Sequence, residues 1–93
     1  MGSTRALNPS VAEPLGRQLG PVIAEVREEQ RMSAEELAGL AGVSPKAVEH
    51  WEAGRRIINN ESLPRVARAL GTMPSKLYAR AERRGEGAGW RTR

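Results

Sequence analysis

Cysteine and aspartate are absent from this chain of 93 residues, and it has one histidine, His50. Without cysteine there is no disulfide framework, no zinc finger and no thiol nucleophile. Without aspartate, and with a single imidazole, little remains for a metal site or a Ser-His-Asp triad. No run approaches the roughly 20 apolar residues that a membrane span needs, and the N-terminus lacks the apolar stretch of a signal peptide. These absences predict a cytoplasmic protein with no cofactor, no metal and no catalytic activity. No nucleophile–base pair or pocket-forming constellation stands out either.

What is present fits one small domain with tails. Hydrophobic residues make up 39%, enough for a small core. The formal charge is +4, and 13 of the 15 basic residues are arginine. Arginine suits bidentate contacts to phosphate and guanine better than lysine does, and a GC-rich genome produces the same excess. The charge is uneven along the chain: residues 20–54 have three basic and seven acidic side chains, and residues 55–84 have eight basic and two acidic.

No strand-like alternation or internal repeat is visible. Residues 1–14 lack a helical period and read as a flexible arm; residues 85–93, glycine-rich with Trp90, read as a flexible basic tail. Between them, 15–84 forms the domain, a series of short amphipathic helices. The first is expected near Pro21, because proline favours the first helical position and Gly20-Pro21 should interrupt any earlier turn. Leu19, Ile23 and Val26 give it an apolar stripe. The second opens on Ser33-Ala34-Glu35-Glu36, a capping box with Ser33 as N-cap, and places Leu37, Leu40 and Ala41 on one face. Gly42 ends it. The third has Ser44 as N-cap, Pro45 at its first position and an apolar stripe of Val48 and Trp51, and stops at Gly54. The fourth starts near Ser62, since Pro64 is tolerated only in a first turn, and buries Leu63, Val66, Ala67 and Leu70. The fifth starts near Pro74, with Leu77, Tyr78 and Ala81 available for packing. Two short helices joined by Gly42-Val43-Ser44 have the spacing of a helix-turn-helix.

Four segments in register resemble the Cro/CI-type (Xre) helix-turn-helix family of phage and bacterial repressors. They are Leu19-Gly20 with Ile23, Val26 and Arg27; Glu36 to Ser44; Trp51 to Arg56; and Val66 to Gly71. The resemblance implies an all-α, compact five-helix bundle that binds operator DNA as a symmetric homodimer, blocking transcription from the bacterial nucleoid. It implies that helix 44–53 is the recognition helix in the major groove. Helical geometry sorts that helix independently: Val48 and Trp51 define the buried side, leaving Pro45, Lys46, Glu49, His50 and Ala53 on or beside the exposed one.

Candidate base contacts are therefore Pro45, Lys46, Glu49 and His50. Lys46 can donate to guanine or to a phosphate, Glu49 can accept from cytosine N4, and Pro45 offers only apolar contact. Each has a plainer alternative: a solvated lysine, a helix starter, an intramolecular ion pair, a surface imidazole. Candidate phosphate contacts are Arg55 and Arg56 in the following loop, Arg31, and the backbone N–H groups of Ala34 and Glu35 at the start of the second helix. Position 34 is alanine where many family members carry glutamine. The family pattern also implies a structural ion pair between Arg27 and Glu52, worth about 3–5 kcal/mol to break if buried. Leu77 and Tyr78 are the candidate dimer surface, with core packing an equal explanation. Arg5 offers a possible groove contact from the arm.

The acidity of residues 20–54 is awkward for a DNA binder. It is harmless if Glu25, Glu28 and Glu29 face away from DNA. Two other readings therefore stand: an antitoxin that binds a toxin partner and represses its own operon, and an adaptor that binds only protein.

Overall fold

The computed structural model describes residues 9–87, with side chains for residues 16–84. Arg5 and Trp90, and with them the expected groove contact from the arm and the tail beyond residue 87, lie outside the described residues. Five helices follow one another: α1 (Pro9–Glu29), α2 (Ala34–Ala41), α3 (Pro45–Glu52), α4 (Ser62–Ala69) and α5 (Pro74–Gly87). α1 packs against α5 and α3, α2 against α3 and α4, and α4 against α5.

Local chemistry sets the helix starts. At α2 the Ser33 hydroxyl accepts from the Glu36 N–H at 3.0 Å, and the Glu36 carboxylate accepts from the Ser33 N–H at 2.8 Å. The reciprocal bonds satisfy two donors that the first turn would otherwise leave open. At α3 the Ser44 hydroxyl accepts from Ala47 N–H at 3.0 Å. Between these helices Gly42 adopts the left-handed conformation (φ 73°). α4 has no cap from its own Glu61; the Asn59 side chain instead accepts from the N–H groups of Glu61 and Ser62.

α1 departs from expectation. It does not start near Pro21 but runs unbroken from Pro9, so the backbone of residues 9–14 is helical rather than irregular. Proline inside a helix costs about 3 kcal/mol. Leu19, Val22 and Ile23 flank Pro21 on both sides and are all buried. Each such side chain contributes about 1.5–3 kcal/mol on burial, so together they outweigh the proline. α5 likewise extends through Gly87, past the boundary expected at residue 84.

Gly20 is not a break but a contact. A Cβ at this position would stand 1.7 Å from the Trp51 carbonyl oxygen and 2.6 Å from its carbon. The backbones of α1 and the end of α3 thus touch with no side chain between them, and only glycine permits this.

The core collects Leu19, Val22 and Ile23 from α1, Leu37, Ala38 and Ala41 from α2, Val48 and Trp51 from α3, and Ile58 from the following loop. Leu63, Val66, Ala67 and Leu70 join from the α4 region, and Leu77 and Ala81 from α5. Two sequence expectations change here. Leu40 is 66% exposed: the buried stripe of α2 centres on Leu37, Ala41 and Ala38, which leaves Leu40 over its edge. Leu77 is 2% exposed, so it belongs to the core and cannot form a dimer surface; its neighbour Tyr78 does reach solvent. The Gln30 side chain closes the bundle by donating to the Leu70 carbonyl at 2.7 Å.

The approach at Gly20 generates a prediction. Gly20→Ala should raise local helix propensity yet destabilise the protein by about 3 kcal/mol, because the obstructing atoms are backbone and cannot rotate away. A urea midpoint that stays the same or rises would show that α1 and α3 do not meet there.

Candidate nucleic-acid interface

α3 is eight residues long, too short to hold its own conformation in water. Its inner side is fixed by Val48 and Trp51, both buried. Pro45, Lys46, Glu49 and Ala53 are exposed, and His50 is half-buried. The structure thus gathers the candidate base contacts on one solvent-facing side, with His50 at its margin.

The chain leaves α3 through Gly54, whose φ of 79° favours glycine. This turn folds the next two residues back, so that the His50 carbonyl accepts from the N–H of Arg55 at 2.9 Å and of Arg56 at 3.3 Å. Both arginines are exposed and hang from the end of α3. Among the described residues neither side chain makes an ion pair or hydrogen bond, and the same holds for Lys46. At the start of α2, the backbone N–H groups of Ala34 and Glu35 precede that of Glu36, which the Ser33 hydroxyl caps, and that of Leu37, which makes the first intrahelical bond, to the Ser33 carbonyl. As first-turn donors they have no partner within the helix. Ala34 is half-buried and Glu35 exposed. Arg31 is also exposed, and its backbone is left-handed (φ 56°). That conformation costs a non-glycine residue about 1–2 kcal/mol and ends α1 so that the Met32 N–H returns to the Arg27 carbonyl.

Arg27 and Glu52 form a two-pronged ion pair. Arg27 Nε donates to Glu52 Oε2 at 2.7 Å and Nη2 to Oε1 at 2.9 Å, while Nη1 donates to the Met32 carbonyl at 2.8 Å. Each side chain is only 14% exposed. The bond to Glu52 raises the Arg27 pKa above its ordinary value, against the opposing effect of burial; the charges of Glu52, Glu28 and Glu35 add to it. A raised arginine stays protonated at every working pH, so its share of the stability is present below the unfolded value and is lost only in strong base.

Glu25 and Glu29 of α1 find partners that sequence spacing does not reveal, while Glu28 stays exposed, 3.8 Å from its neighbour Arg27. Arg80 of α5 lies 3.0 Å from Glu29 and 3.8 Å from Glu25, and Arg84 pairs with Glu25. Glu25 and Glu29 therefore face α5. Two of the eight basic residues counted in 55–84 are engaged there, which reduces the positive charge available beside α3. Among the described residues no group of three or more His, Cys, Asp or Glu side chains could hold a metal ion, and no helix is long and apolar enough to cross a membrane.

A helix-turn-helix family pattern matches residues 23–77, and the chain belongs to that family, in its Cro/CI-type form. Fold and family define a helix-turn-helix domain, the class found in DNA-binding regulators. Among solved structures the chain is similar to the clp gene regulator ClgR of Corynebacterium glutamicum, with a TM-score of 0.77, 27% identity, and coverage of 81% of this chain and 80% of that one. It also resembles apo-HppE, with a TM-score of 0.59, 30% identity, and coverage of 67% of this chain and 35% of that one. By sequence it is similar to multiprotein-bridging factor 1 of Candida glabrata, 40% identical over 57 residues (61% of this chain, 38% of the relative). The Candida albicans counterpart is 36% identical over 53 residues (57% of this chain, 35% of the relative). The chain thus spans well under half the length of these yeast relatives, which lie outside the phage and bacterial repressors.

Removing one side of the Arg27–Glu52 pair should cost about 3 kcal/mol, the low end for a buried pair because solvent still reaches it. Glu52→Gln and Arg27→Met should each lower the urea midpoint, and the double variant should lose clearly less than the two singles added. Additive losses would mean that the two side chains do not interact.

Proposed function

We propose that this protein represses transcription by seating α3 in the major groove of operator DNA as a homodimer. The carrying observation is that Lys46, Arg55 and Arg56 line one exposed side and its end with no partner among the described residues. Glu25 and Glu29 of α1 are meanwhile tied to α5. In this reading Lys46 and Glu49 read base edges, with Pro45 and His50 beside them. Arg55, Arg56 and Arg31, with the Ala34 and Glu35 N–H groups, hold phosphates. The protein is a binder and carries out no catalysis. Two copies pair through the side of α5 that bears Tyr78 and contact half-sites about 10 bp apart. A second reading, in which the bundle also engages a protein partner, draws support from the yeast relatives being multiprotein-bridging factors.

Selection of bound sequences from random duplex DNA tests the main reading. Enrichment of a two-fold symmetric sequence with half-sites about one turn apart is the expected result; recovery of unselected sequences would remove DNA readout. Converting both Arg55 and Arg56 to alanine should weaken binding to all sequences and flatten the slope of log affinity against log salt by about 1.8, near 0.9 per lost phosphate contact. An unchanged slope takes both arginines out of the interface. Lys46→Ala should instead change the preferred sequence, and a uniform loss would make Lys46 a phosphate contact.

A further inference from the structure

Away from α3, one large apolar side chain stands in water without an evident reason. Leu40, at the end of α2, is 66% exposed, more than Met73, Ile57 or Tyr78. It borders a groove of about 220 Å³ between α2 and α4, whose other walls are Ala41, Pro64, Arg65 and Arg68. Arg65 and Arg68 lie one turn apart and are exposed. Neither has an ion pair or hydrogen bond among the described residues, whereas Arg27, Arg80 and Arg84 are each bound to glutamate. The groove therefore joins an apolar wall to two uncompensated cations.

We infer that the α2–α4 groove is a docking site for an acidic amphipathic segment of a partner protein. One apolar side chain of that segment packs on Leu40, Ala41 and Pro64, and its carboxylates meet Arg65 and Arg68. Charge complementarity names the occupant. Duplex DNA would satisfy the arginines but would leave Leu40 uncovered, because the phosphate backbone has no apolar surface to offer. A second copy in a two-fold contact would lay the same patch on itself and bring four arginines together. The groove does not depend on the DNA reading, and its test can fail separately from it.

The test uses the full 93-residue chain, isotopically labelled for amide spectra. It is titrated with a synthetic helical peptide that has leucine and phenylalanine at helical spacing, flanked by glutamates. Shifts should centre on residues 40, 41, 65 and 68. Leu40→Ser, and separately Arg65→Glu with Arg68→Glu, should each weaken the peptide about tenfold or more. All three side chains are exposed, so the fold should survive, and unchanged amide spectra elsewhere would verify that. A peptide with lysine in place of glutamate should not bind. Absence of binding, shifts centred elsewhere, or affinity indifferent to Leu40→Ser would overturn the inference. So would an arginine variant that loses DNA but keeps the peptide, or a Leu40→Ser variant that loses only self-association.

Discussion

The contact on which the arrangement depends is the approach of α1 to the end of α3 at Gly20, where no side chain separates the helix backbone from the Trp51 carbonyl. An eight-residue helix has no preferred orientation of its own. Here its far end is held against a longer helix by that contact and by Arg27, whose guanidinium grips Glu52 with two bonds and the Met32 carbonyl with a third. The same arginine thereby joins α1, the turn before α2, and α3. The direction in which Lys46 and Glu49 project follows from this clamp, not from the sequence of α3. Glycine at the contact and arginine at the bridge thus act as one device: the first lets the helices come close, and the second fixes how they lie.

Charge is sorted by the same packing. In sequence, the helix-turn-helix half is acidic and the half after it basic, a poor division for a surface meant to meet phosphate. Folding brings α5 alongside α1, and Arg80 and Arg84 take up Glu29 and Glu25. What remains beside α3 is Lys46 with Arg55 and Arg56, the last two hung from the His50 carbonyl. The charges of Glu25 and Glu29 are thereby taken up along the α1–α5 seam, where they stabilise the packing of those helices in place of repelling a polyanion. Partly exposed pairs of this kind add little each; their larger consequence is for the field around the protein.

The outer surface then divides in two. One side, formed by α3 with its loop and the start of α2, is polar, with Lys46, Arg55 and Arg56 as its cations on α3 and its loop and Glu35 and Glu36 at the start of α2. The other, between α2 and α4, combines Leu40 with Arg65 and Arg68. α2 contributes to both, its N-terminus to the first and its last turn to the second, so its eight residues form the partition between them.

The starts of α2, α3 and α5 were legible in the sequence because their chemistry is local. Ser33 with Glu36, Ser44 with Pro45, and Pro74 act over at most three residues, and no distant contact is needed to read them. The Arg27–Glu52 pair was accessible only through its place in a family pattern. Other features depended on which faces meet. Gly20-Pro21 reads locally as a break, yet burial of Leu19, Val22 and Ile23 carries the helix through it. Leu40 and Leu77 look alike as apolar residues on amphipathic helices, but one lies past the edge of its stripe and the other at the centre. Arg80 and Arg84 pair with residues 51 and 59 positions away, a separation that no periodicity encodes. The sequence alone therefore determined the class of fold, most helix boundaries and the side of α3 left to solvent, because these follow from caps and a 3.6-residue period. Only the tertiary structure decided the length of α1, the partners of its glutamates and the exposure of Leu40, because these depend on contacts between helices far apart in the chain.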